Sequence, residues 1–118
     1  MPTETARPDP ARILEWLATP AWLADRDKVL SYVNAAGRKQ EDIVTAVGRS
    51  IVENCHKPES VTRINALYEK WNKGSTEPEV YSRPIESGRT KHNILIPVHG
   101  PDGFEGVLEL SFTTSRTT

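Results

Sequence analysis

Between Pro58 and Gly74 the chain carries Val61, Ile64, Leu67, Tyr68 and Trp71 at steps of three and four residues. That spacing stacks apolar side chains on one face of an α-helix, and Lys73-Gly74 is a stop signal. It is the one long amphipathic segment, and both flanks read differently. Upstream, "AWLADRDKVLSYVN" has two short apolar runs around the polar turn Asp25 to Lys28, the pattern of a hairpin. "NAAGRKQEDIVTAVG" is helix-like but interrupted by Gly37 and Gly48, so short helical turns are expected. Downstream, "EVYSRPI" contains Pro84 and suits an edge strand or bulge. "TKHNILIPV", the turn "GPDG" and "FEGVLELSF" then read as two strands of alternating pattern. Strict alternation predicts that His92, Ile94, Ile96 and Val98 share a buried face with Phe104, Gly106, Leu108, Leu110 and Phe112. Glu105, Val107, Glu109 and Ser111 are then expected on a solvated face. One long helix between two strand groups predicts an α+β chain, a five-stranded antiparallel sheet with that helix, from about Pro58 to Lys73, across one face.

A length of 118 residues allows one domain. We expect flexible tails at 1–8 and 115–118 around a single domain, 9–114. Asp9-Pro10 is an N-cap followed by proline at the first helical position, and it predicts a short helix over 11–18. Ile13, Leu14 and Leu17 lie on its apolar face, with Trp16 beside them. A formal charge of −1 offers no surplus of cations for nucleic acid. One cysteine excludes an internal disulfide. No apolar stretch is long enough for a membrane span, and the N-terminus is unlike a secretory signal. A soluble, cytoplasmic, bacterial-type domain is expected.

The order of elements is that of a PAS domain, which the chain resembles over about residues 11 to 114. "PAWLADRDKVLSYVNAAGRKQ" is similar to the PAS opening, in which one strand ends in Asp, here Asp25, and the next in an Asn that begins a helix, here Asn34. Gly48-Arg49 resembles the pair before the long F helix. "HGPDGFEGVLELSFT" resembles the closing hairpin. "GRSIVENCHKPESV" is similar to the PAS module at the C-terminus of DUF438 proteins, matching at Asn54, Cys55, His56, Pro58, Ser60 and Val61, with Lys57 in place of a proline. "EVYSRPI" departs from the pattern, because Pro84 stands where an aromatic-bearing strand is usual.

The resemblance implies a sensory module that binds a small ligand or cofactor in its core and acts through dimerisation or a separate signalling partner. The expected pocket is lined by Tyr32, Ile64, Leu67, Tyr68, Ile94, Ile96, Leu108 and Leu110, apolar with two hydroxyls. His56 is the candidate axial ligand of haem, the leading cofactor; the bland reading makes it part of a helix start. The axial His of oxygen-sensing haem PAS domains falls near Arg63 here, so that arrangement is missing. His92 is expected to point inward, as a hydrogen-bonded core residue or a ligand, and His99 to be exposed in a turn. Trp16, Trp22 and Trp71 are read as packing residues. The expected dimer surface is Ile13, Leu14, Trp16 and Leu17.

Adjacent Cys55 and His56 diverge and form no nucleophile–base pair. They also lack metal-ligand spacing. The acidic "DRD" at 25 to 27 reads as turn-forming. A non-enzymatic module is therefore expected. A pure interaction module with a self-filled core is one alternative. A small α+β isomerase or hydrolase is another, and it would require a pocket Asp or Glu with a raised pKa, whereas the acidic residues read as solvated.

Overall fold

The structure, a computed structural model, describes residues 7–39, 46–54 and 58–115. Helix α1 spans Pro10–Trp16 and is capped by Asp9, whose side chain accepts from the Ala11 amide. Strands β1 (Ala21–Asp25) and β2 (Leu30–Val33) form the first hairpin, closed around Asp25. A 3-10 turn at Gly37–Lys39 and the short helix α2, Ile51–Asn54, precede the long helix α3, Pro58–Asn72. Strands β3 (Glu79–Pro84), β4 (Arg89–Gly100) and β5 (Gly103–Ser115) complete the chain. All pairings are antiparallel, in the order β2-β1-β5-β4-β3. Proline-bearing β3 is an edge, where a missing N–H breaks no ladder.

Helix α3 buries Ile64, Leu67, Tyr68 and Trp71, the stripe its periodicity predicts. They join Ala24, Leu30, Val33, Leu95, Phe104 and Val107 in one core. Tyr68, Trp71 and Phe104 pack ring against ring, with centroids 5.4 to 6.0 Å apart, and the Trp71 indole donates to the Glu77 carbonyl at 2.8 Å.

The face assignment of the C-terminal strands is the reverse of the one alternation predicts. Leu95 on β4 and Val107 on β5 enter the core beneath α3. Their neighbours Ile94, Ile96, Leu108 and Leu110 therefore point to the other side of the sheet, because side chains alternate. The cause is a bulge. His99 pairs with Phe104 but Val98 pairs with Gly106, leaving Glu105 as an extra residue. Phe104 thus shares the covered face with Val107 instead of Leu108. Gly106 permits this bend: its φ is +156°, and a Cβ there would lie 2.3 Å from the Ala24 carbonyl oxygen.

Candidate functional site

Two regions of the described residues hold polar groups in defined positions, the covered face of the sheet and the junction of α1 with the β1–β2 hairpin. On the covered face, Trp22, Glu109 and Leu95 are register partners across β1, β5 and β4. One step along the strands, Tyr81, Asn93 and Ser111 form the next row across β3, β4 and β5, and Arg83, Lys91 and Thr113 the row beyond. Glu109, Asn93 and Ser111 are only 9%, 7% and 5% exposed. Burial pushes the Glu109 carboxyl up to about 7, against the opposing effects of a hydrogen bond from Trp22 and the charge of Lys91. The expectation that the acidic residues are solvated fails here, because the bulge turns Glu109 inward. Alternation of residue types holds no signal for this glutamate; a Gly three residues after the Asp102-Gly103 turn, at 106, is the only hint of a bulge.

At the second region Asn34 is fully buried and uses its whole amide. Its oxygen accepts from the amides of Ala21 and Gly37, both at 2.9 Å. Its nitrogen donates to the carbonyls of Leu14 and Thr19, both at 3.0 Å. The Glu15 carboxylate accepts from the Tyr32 hydroxyl and from the Arg38 guanidinium. Hydrogen bonds from Arg38 and Tyr32 hold the Glu15 carboxyl well down, to about 2. Helix α1 is thereby fixed in rotation. Ile13, Trp16 and Leu17 are left 51%, 73% and 37% exposed, while Leu14 is half-buried. Trp16 is thus an outward-facing residue, whereas Trp71 is wholly buried and Trp22 packs against the core.

The eight residues expected to line one cavity fall on two sides of the sheet. Ile64, Leu67 and Tyr68 face the core beneath α3. Tyr32, Ile94, Ile96, Leu108 and Leu110 lie on the uncovered face, where Tyr32 pairs with Leu23, Leu23 with Leu108, and Leu108 with Ile96. Tyr68 donates its hydroxyl to the Asp25 carbonyl at 3.1 Å, and burial raises its pKa.

His92 also lies on the uncovered face, not inward. Its Nδ1 meets Ser82 Oγ at 2.7 Å, its Nε2 meets Thr114 Oγ1 at 2.8 Å, and its ring stacks on Phe112. With both ring nitrogens engaged it does not fit an axial haem ligand. His99, expected to be exposed, is half-buried; its Nε2 donates to the Ser75 carbonyl at 2.9 Å, and its ring packs against Phe104. His56, with Cys55 and Lys57, lies outside the described residues. Among the described residues no group of His, Cys, Asp or Glu could hold a metal ion. Asp25 is a turn residue, its carboxylate accepting from the amides of Asp27 and Val29. No described helix is long and apolar enough to cross a membrane.

The chain has the PAS fold. It is similar to a C-terminal domain from Streptococcus mutans, with 24% identity and a TM-score of 0.68 over 84% of this chain and 78% of that one. It is also similar to a sensory box sensor histidine kinase from Vibrio cholerae, with 20% identity and a TM-score of 0.65 over 91% and 90% of the two chains. The PAS domain of Bordetella pertussis BvgS matches at 13% identity and a TM-score of 0.65, over 88% of this chain and 82% of that one. No family model matches the chain, and no curated protein matches it.

Proposed function

We propose that this chain is a sensory module that holds a small ligand between α3 and the sheet and signals by pairing with a second copy through α1. The PAS fold, shared with a structure named as a sensor histidine kinase, supports the general role. The observation that carries the pairing is the exposed apolar side of a helix that is not free to turn. Glu15 and the Asn34 amide hold α1 so that Ile13, Trp16 and Leu17 face away from its own domain. The surface continues onto the sheet. Tyr32 points to the uncovered face and its hydroxyl reaches Glu15, so α1 sits on that side. Beyond it lie Leu23, Leu108, Ile96, Leu110 and Ile94, then Val80 and Phe112, which are 59% and 37% exposed. Such a surface favours an apolar partner, and a second copy presents a matching one in a two-fold arrangement.

Light scattering at micromolar concentration is expected to give a mass near twice that of one chain. Trp16→Ser combined with Ile13→Ser is expected to return it to the monomer with an unchanged far-UV circular dichroism spectrum and a thermal midpoint that no longer depends on protein concentration. A monomer in the unaltered chain would overturn the reading.

A further inference from the structure

Among the described residues His92 is the one histidine on the uncovered face of the sheet, and the residues around it there carry no charge. Its own row is Ser82, His92 and Phe112 across β3, β4 and β5. The row on one side is Pro84, Thr90 and Thr114, and the row on the other is Val80, Ile94, Leu110 and Ala21. The charged strand residues nearby, Arg83, Lys91 and Arg89, alternate to the covered face, where Glu109 is also buried. On the uncovered side charge is confined to the ends. Glu86 lies in the turn after β3, Asp25 stands three rows away opposite Gly106, next to Glu105 of the bulge, and Glu15 with Arg38 lies beyond Tyr32.

The hydrogen bonds of His92 suit either charge state. A neutral imidazole has one donor and one acceptor nitrogen, and an imidazolium has two donors. Its partners, Ser82 Oγ at 2.7 Å and Thr114 Oγ1 at 2.8 Å, are hydroxyls, which donate or accept as required. The half-buried ring therefore keeps its place on Phe112 when it gains a proton, and the single chain tolerates the charge.

We propose that protonation of His92 separates the paired chains, a regulation that rests on the reading of a second copy covering α1 and this face. His92 stacks on Phe112 and sits one row from Ile94 and Val80, so the imidazole lies within the apolar surface assigned to the pair. Covering a neutral imidazole there costs little, because both nitrogens are already bonded within the chain. Covering an imidazolium removes a cation from water with no carboxylate among its neighbours to offset it. A two-fold pair brings the same residue from both copies, so two such cations are covered at once. Histidine changes its charge between about pH 5 and 8. The single chain then takes up protons that the pair excludes, and falling pH draws the equilibrium toward the monomer.

The test is sedimentation equilibrium of the full chain at constant ionic strength, from about pH 8 down to about pH 5.5. The dissociation constant of the pair is expected to rise at least tenfold over that range, with an unchanged far-UV circular dichroism spectrum. Acid does not loosen the fold through Glu109, whose buried carboxyl is favoured in its protonated form, so the loss of pairing is not unfolding. His92→Gln and His92→Phe stay neutral throughout, and each should pair with a dissociation constant that changes less than twofold with pH. His92→Arg is charged throughout and should pair at least tenfold more weakly than the unaltered chain even at pH 8. A pair whose dissociation constant ignores pH would overturn the role of His92 while keeping the pairing. A pH dependence that survives in His92→Gln or His92→Phe would do the same. A monomer at every pH would overturn both.

Discussion

The two faces of the sheet teach opposite lessons about hydrophobicity. The uncovered face presents Leu23, Ile94, Ile96, Leu108, Leu110 and Phe112, while the covered face mixes Leu95, Val107 and Phe104 with Asn93, Glu109 and Ser111. By composition the uncovered face is the more apolar. Helix α3 nevertheless packs on the other one, because Ile64, Leu67, Tyr68 and Trp71 interlock there with Phe104 and the first hairpin. Burial is thus set by where the bulge and the helix connections place α3, and the greasier face is left uncovered by the chain's own helices. The polar face is enclosed and acquires chemistry that it would lack in water.

The largest test of this contrast is Trp71→Ala. Removing a wholly buried indole should cost about 3–5 kcal/mol in chemical denaturation. Next is Glu109→Gln, which should act in the opposite direction. The Glu109 carboxyl titrates at about 7 when folded, above its ordinary value. Its folded form therefore holds a proton that the unfolded chain has released, and stability that is complete below about pH 4.5 is lost as pH rises through 7. Glu109→Gln should be near neutral at pH 4.5 and stabilising by on the order of 3 kcal/mol at pH 8. Equal melts of the two proteins at both pH values would mean that the carboxyl is solvated. Asn34→Ala removes four hydrogen bonds and strands two backbone amides and two carbonyls, so a loss of about 2 kcal/mol or more is expected. On the uncovered face, Phe112→Ser should change monomer stability by no more than about 0.5 kcal/mol while weakening self-association.

The smallest effect concerns α1. The Glu15 carboxyl is depressed to about 2 by Arg38 and Tyr32, so its support for the helix is present above the ordinary carboxylate value and lost as pH falls toward 2. The Ala35 amide bonds to the Glu15 carbonyl, and its protection against hydrogen exchange should fall over that range. Glu15→Gln should remove the pH dependence.

The elements were legible where a local pattern stands alone. The stripe of α3, the Asp9-Pro10 start of α1, the Asp25 turn and the Pro84 edge strand depend on neighbours within a few residues. Asn34 was legible as the residue following the second strand, but its reach to Leu14 and Thr19 was not. The site was largely illegible. Tyr32 and Leu108 cannot be told from Ile64 by apolar type, and only strand register separates them. Glu109 looks solvated to any reading that carries strict alternation through Gly106.

What the sequence by itself determined is the set of elements, their order and the identity of the helix face that packs, because these follow from periodicity and turn chemistry over short spans. What the tertiary structure decided is the side of the sheet each strand residue faces. One extra residue at Glu105 inverts the relation between Phe104 and everything after it, and period-two patterns cannot register an insertion of one. That inversion carries Glu109 under α3, turns His92 outward and leaves Ile94 and Leu110 on the uncovered side of the sheet.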